Sequence, residues 1–307
     1  MILILGVTGS GKSRLAFDLA ESMGAEIISI DSMKVYRRMD IGTAKPPETA
    51  RERIKYHLID VIEPGDSFSV GLFLELAYTA IKQIESLNKP VIAVGGTALY
   101  IKALLYGLFE GPGSDEKIRA LLSKRAEDKG LEHLYQELKN IDPMAANRIH
   151  PNDRKRIVRA LEVYKITGKP ISSLQKQFEA QKPIHKWNII GLRREKAVES
   201  KQINSRVKRM IDAGLVEEVK ALLDEDKTLS QQARCAIGYA EIIDYLNGRI
   251  NLDDAIESIK KNTRRLAKNQ RTWFKTFKNV NWVDIEESKS PEEIFAQVKT
   301  LILNNKE

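Results

Sequence analysis

Residues 1–13 read MILILGVTGSGKS, and their order decides the architecture. Met1 to Leu5 is an unbroken apolar run, the mark of a strand buried on both faces. It ends in Gly6-Val7-Thr8-Gly9-Ser10-Gly11-Lys12-Ser13, a complete GxxxxGK[ST] pattern. Leu15, Leu19 and Met23 then recur at i, i+4 and i+8, the face of an amphipathic helix that Gly24 closes. A strand, a glycine-rich loop and a helix in that order form a phosphate loop. Glycines let backbone N–H groups converge on an anion, the helix N-terminus adds partial positive charge, Lys12 adds a full charge, and Ser13 offers a hydroxyl to Mg²⁺. The bland alternative is a tight strand-to-helix turn, which would not require the lysine and serine.

From this unit the rest of the sheet can be traced. Glu26–Ile30, His57–Ile62 and Pro90–Val94 read as further strands, and a helix over Phe68–Leu87 is expected, with Ser69 as its cap and Leu72, Leu76, Ala80 and Ile84 along one face. Strands alternating with helices predict a doubly wound parallel sheet. At Gly107, Gly111, Pro112 and Gly113 the composition changes. From Asp115 to Gln181 the chain reads as charged and helical, broken at Gly130, Asp142-Pro143, Pro151 and Gly168-Lys169-Pro170. Residues 187–192 and 281–284 again read as strands. The expected organisation is an α/β core of the P-loop NTPase type, a parallel sheet flanked by helices and formed by residues 1–112 and 186–307. A small all-helical domain, residues 113–185, is inserted into it.

Composition bounds the function. The 307 residues carry 42% apolar and 30% charged side chains, an ordinary globular profile that excludes a disordered chain. Lys and Arg number 50 against 42 Asp and Glu, a net charge of +8 that favours an anionic partner. The single cysteine, Cys235, excludes an internal disulfide and has no evident activating base. The four histidines form no zinc-type spacing. No apolar run approaches the roughly 18 residues of a membrane span. A cytoplasmic protein with no membrane partner is expected.

Beyond the phosphate loop, two features carry chemistry. ATPases and kinases commonly place a second acidic residue at a strand end to organise Mg²⁺. Here Val91–Val94 runs instead into Gly95-Gly96-Thr97, backbone amides and a hydroxyl suited to a diphosphate. The strand-end carboxylate is Asp31, positioned to act as metal ligand, general base or simple turn former. The second feature is basic. Arg154, Lys155, Arg156 and Arg159 cluster in the insertion and Lys260 to Arg271 near the end, either as nucleic-acid contacts or as solvated helix faces paired with acids. Arg206 and Arg209, three apart, could reach one site.

In order along the chain, GVTGSGKS, Asp31-Ser32-Met33-Lys34-Val35-Tyr36-Arg37, Asp40-Ile41-Gly42-Thr43-Ala44-Lys45-Pro46, His57-Leu58-Ile59-Asp60, Gly95-Gly96-Thr97-Ala98-Leu99-Tyr100 and the stretch from Asn152 to Glu162 resemble the tRNA dimethylallyltransferase (tRNA isopentenyltransferase) family. The resemblance extends to Gln270-Arg271-Thr272-Trp273-Phe274. It implies transfer of a dimethylallyl group from dimethylallyl diphosphate to N6 of adenine 37 beside the tRNA anticodon, with Mg²⁺ on Ser13. Gly6, Thr8, Gly9, Ser10, Gly11, Lys12 and Ser13 would hold the donor diphosphate, Asp31 would be the base, and Thr97 and Arg206 would assist the leaving group. Ser32, Met33 and Lys34 would line the adenine channel. Arg119, Lys155, Arg156, Arg159, Arg234, Cys235, Gly238 and Tyr239 would contact the anticodon stem-loop. The nucleotide- and ATP-binding character of such loops would here serve the prenyl donor, and the enzyme is expected to act as a monomer. Lys34 stands where many members carry Gln. The competing readings are an adenylate isopentenyltransferase, a small-molecule kinase and a nucleotide-dependent nucleic-acid switch.

Overall fold

The computed structural model describes residues 1–108, 111–175 and 183–304. Its chain divides into two units, one formed by Met1–Leu105 with His185–Glu307 and the other by Tyr106–Ile184. The first boundary lies ahead of the glycine cluster at which the sequence changes character, because the helix Ala98–Tyr106 runs on past Leu105.

The larger unit is built on six parallel strands, β1 (Ile2–Gly6), β2 (Glu26–Ile30), β3 (Tyr56–His57), β4 (Val91–Gly95), β5 (Asn188–Arg193) and β6 (Val280–Asp284). Their order is β3-β2-β4-β1-β5-β6. Ile2, Ile4, Ile27, Ile92, Val94, Ile190 and Leu192 pack into one apolar cluster with Leu15 and Leu19 of α1 (Lys12–Met23), the helix that Gly24 closes as expected. The alternate residues Leu3, Leu5, Ile28 and Ile30 are equally buried. Period-two alternation therefore gives two apolar faces, as a doubly wound sheet requires.

Register places the site. Leu5 pairs with Gly95, and Gly95 with Ile30, so the residues that follow β1, β2 and β4 emerge side by side at the carboxyl edge of the sheet. In open α/β sheets this edge is where ligands bind.

Two expectations need correction. The strand read over His57–Ile62 is only Tyr56–His57, because Leu58 and Asp60 adopt positive φ (62° and 56°) and turn the chain out of the ladder. The helix near Phe68–Leu87 exists as α2 (Val70–Ser86), and Ser69 caps it by accepting from Leu72 N–H at 3.1 Å. Its buried stripe, however, is Phe73, Ala77, Ala80, Ile81 and Ile84, rotated away from Leu72 and Leu76.

The smaller unit contains the helices Glu116–Lys129, Leu131–Ile141, Pro143–Arg148, Arg154–Thr167 and Ile171–Leu174. Leu122, Leu134, Leu138, Ile157, Leu161 and Val163 form its own core. The breaks at Gly130, Asp142-Pro143 and Gly168 all fall between helices, with Asp142 accepting from Ala145 N–H as an N-cap at 2.9 Å. The end of the helical stretch expected up to Gln181, residues 176–181, lies outside the described residues.

Candidate active site

The phosphate loop bends from β1 into α1 through Gly9 (φ 84°) and Gly11 (φ 92°), values an L side chain adopts only with strain. Ser10 N–H donates to the Val7 carbonyl at 3.1 Å and Leu15 N–H to that of Gly11 at 3.2 Å, which starts the helix. Lys12 curls back so that its Nζ donates to the Val7 carbonyl at 3.2 Å. Burial, with Lys34 and Arg206 nearby, pulls the Lys12 ammonium down to about 7, while Asp31 opposes the shift. Lys34 and Arg206 are also shifted down, chiefly by burial. Three half-buried cations thus surround the Asp31 carboxylate, a surplus of positive charge that favours an anionic ligand.

Asp31 directly follows β2. Its Oδ1 accepts from Met33 N–H at 2.8 Å and Lys34 N–H at 3.3 Å, so the turn-forming role foreseen for it is real and fixes the carboxylate in place. Thr97 approaches from β4: its Oγ1 accepts from Ser32 N–H at 3.2 Å. The approach is possible because residue 95 is glycine, since a Cβ there would lie 2.0 Å from the Ile30 carbonyl oxygen.

Two cavities meet on these residues. One, of about 440 Å³, is lined by polar residues that include Thr8, Lys12, Ser13, Lys34 and Arg206 and by apolar ones that include Phe17, Ala44, Pro46, Pro47, Tyr56 and Ile59. The other, of about 280 Å³, is lined by Ser32, Met33, Met210, Cys235, Gly238 and Tyr239 among others. Thr8, Asp31 and Arg206 belong to both. An anion with an apolar tail suits the first, and the second opens on the same carboxylate. Ser13 and Asp31 line the first cavity together, whereas among the described residues no group of three or more His, Cys, Asp or Glu could hold a metal unaided. Mg²⁺ suits such a sparse donor set, because it retains waters and takes oxygens from a substrate phosphate.

The remaining sequence-derived residues divide. Cys235 is exposed and Gly238 lines the second cavity, but Arg234 does not line it. Tyr239, which also lines the second cavity, is fully buried, its hydroxyl donating to Glu218 Oε1 at 2.6 Å. In the smaller unit Lys155 and Arg156 are exposed. Arg119 grips both oxygens of the buried Glu162 at 2.9 and 3.2 Å, and Arg159 reaches the same carboxylate at 2.7 Å.

Three contributors were not read from the sequence. Lys45, its side chain 1% exposed, donates to the Tyr36 carbonyl, Asp40 and Asp60 and so holds the loop carrying Ala44 and Pro46. Glu218 accepts from the backbone N–H groups of Asp40, Ile41 and Gly42. Gln270 touches the phosphate loop itself. Lys45 and Gln270 lie within motifs of the family resemblance that assigned them no role. Glu218 lies outside those motifs and acts on residues far away in sequence, for which no local pattern exists.

Two family models match the chain, IPP transferase over residues 34–277 and isopentenyl transferase over residues 1–61. It is 44% identical over 300 residues to the tRNA dimethylallyltransferase of Acetivibrio thermocellus, covering 97% of this chain and 96% of that protein. It is 45% identical over 284 residues to the namesake from Geobacter metallireducens, covering 92% of each. Among solved structures, the tRNA isopentenylpyrophosphate transferase of Bacillus halodurans aligns with TM-score 0.70 and 38% identity over 99% of this chain and 97% of that one. A eukaryotic dimethylallyltransferase described as acting on tRNA aligns with TM-score 0.82 and 28% identity, over 99% of this chain and 79% of that one. The chain belongs to the IPP transferase family.

Proposed function

We propose that the protein transfers a dimethylallyl group from dimethylallyl diphosphate to N6 of adenine 37 in the anticodon loop of tRNA. The observation that carries this reading is the sharing of Asp31, Thr8 and Arg206 by two cavities, one suited to an anion with an apolar tail and one open to a second reactant.

The phosphate-loop amides and Lys12 hold the donor diphosphate, with the prenyl tail toward Phe17, Pro46 and Tyr56. The adenine reaches Asp31 through the cavity lined by Ser32 and Met33, unstacked from the anticodon loop at the modest cost of flipping a single-stranded base. N6 forms a bond to the allylic carbon as the bond from that carbon to the diphosphate oxygen breaks. The N6 proton passes to Asp31, whose Oδ1 is held by two backbone N–H groups. Negative charge growing on the diphosphate is met by Lys12, Arg206 and the Thr97 hydroxyl. Mg²⁺ held by Ser13 would supply further charge neutralisation on that leaving group. The exposed Lys155 and Arg156 are suited to the RNA backbone, and the enzyme is read as a cytoplasmic monomer.

The test offers radiolabelled dimethylallyl diphosphate with Mg²⁺ to unmodified tRNA carrying adenine 37 and to AMP in competition, with ATP consumption monitored. Label in tRNA is expected. Label in AMP alone would make the protein an adenylate isopentenyltransferase, ATP consumption without transfer would make it a kinase, and tight ATP binding without turnover would make it a nucleotide switch.

A further inference from the structure

We infer that Gln270 is a positioning residue that sets the spacing between the two loops of the diphosphate cradle, an inference that rests on the function proposed above. Gln270 lies near the end of the long helix Leu252–Phe274, 8% exposed and 262 residues from its first partner. Thr8 N–H in the phosphate loop donates to its Oε1 at 2.9 Å, and its Nε2 donates to the Gly96 carbonyl at 2.9 Å. The amide has only one orientation here, because an N–H can only donate and a carbonyl can only accept.

The contact is tight as well as paired. A Cβ on residue 96 would lie 2.5 Å from Nε2, so the Gly95-Gly96-Thr97 loop can come this close only with glycine there. The same loop carries Thr97, whose hydroxyl holds Ser32 next to Asp31. One side-chain amide therefore ties the loop after β1 to the loop after β4, and through Thr97 to the turn after β2. It also occupies Thr8 N–H, which is therefore not free for a ligand. Without it, the buried Gly96 carbonyl and the half-buried Thr8 N–H lose their partners, and the loops would separate or admit water between them.

The experiment measures inorganic pyrophosphate affinity with Mg²⁺, and donor kcat/KM with tRNA, for the wild type, Gln270→Leu and Gln270→Glu. All are read well below the midpoint of each variant's thermal unfolding. Gln270→Leu is expected to weaken pyrophosphate binding about tenfold or more and to lower donor kcat/KM about 10²-fold, the scale of a misplacement near 1 Å, with tRNA affinity unchanged. Gln270→Glu loses the donor to Gly96 while ionised, but its protonated carboxyl reproduces the amide's donor and acceptor. Its pyrophosphate affinity, as a ratio to wild type at the same pH, should recover below about pH 6, whereas the Leu variant should not recover. Wild-type pyrophosphate affinity in both variants, or a ratio for Gln270→Glu that is flat with pH, would overturn the inference. Wild-type protein that binds pyrophosphate but transfers no prenyl group would sink the proposed reaction while the binding comparison still decides the clamp.

Discussion

Arginine and lysine serve opposite ends in the two units. In the smaller one, Arg119 and Arg159 converge on Glu162, a carboxylate with no exposed surface, and Arg159 also donates to the carbonyls of Pro112 and Gly113. Both guanidiniums are committed to partners within the fold. At the phosphate loop, Lys12, Lys34 and Arg206 are half-buried around Asp31, and all three are shifted toward their neutral forms. There the fold carries an electrostatic cost that a bound diphosphate would relieve. Basic residues that look alike in sequence are in one unit an internal brace and in the other a site waiting for an anion.

The comparison can be broken most sharply at Asp31. Asp31→Ala should lower turnover about 10²-fold or more while tRNA binding persists, which single-turnover kinetics and filter binding would separate. Equal turnover would leave Asp31 with only its turn. On the other side, Glu162→Ala should destabilise the smaller unit by about 3 kcal/mol, as loss of one partner of a buried pair does, and urea unfolding would measure it. The hydrogen bonds from Arg159, Asp115 N–H and Arg119 hold the Glu162 carboxyl below its ordinary range against the opposing effect of burial. Its contribution is therefore complete above the unfolded carboxylate value and lost as pH falls through the lower folded one. The variant should erase that part of the acid-unfolding profile.

A smaller effect of opposite sign is expected at Lys34. Because burial disfavours its charge, Lys34→Met should stabilise the ligand-free protein at neutral pH by about 1 kcal/mol or more. The gain should shrink as alkaline pH approaches the unfolded lysine value, where both states lose the proton, and differential scanning calorimetry across pH would follow it. A destabilised Lys34→Met would mean that the cluster is already compensated. The smallest effect concerns salt: Arg156→Gln should reduce the salt slope of tRNA binding by about one, the signature of a lost phosphate contact. Arg159→Gln should change it less, because that guanidinium is already committed to Glu162.

The phosphate loop, β1, β2, β4 and the position of Asp31 were legible because each rests on contiguous residues whose periodicity or spacing is itself the physics. What stayed hidden depends on tertiary partners. Leu58 and Asp60 look like strand residues until Lys45, from another loop, fixes Asp60 and the chain turns away. The face of α2 was misjudged by a fraction of a turn, because Phe73 and Ile81 offered a second apolar stripe beside Leu72 and Leu76. Nothing around Arg119 announces Glu162, and nothing around Gln270 announces Thr8.

Glu218 gives the loop Asp40–Pro46 a different standing from the phosphate loop. Both present consecutive backbone N–H groups to an oxygen acid, but in the first the acid is part of the chain, received by Asp40, Ile41 and Gly42 and joined by the Tyr239 hydroxyl. A cradle with a tethered occupant cannot be emptied by dilution or filled by a competitor. It behaves as masonry where the phosphate loop behaves as a berth, and the apolar wall that Ala44 and Pro46 lend to the first cavity keeps its place whether or not any ligand is present.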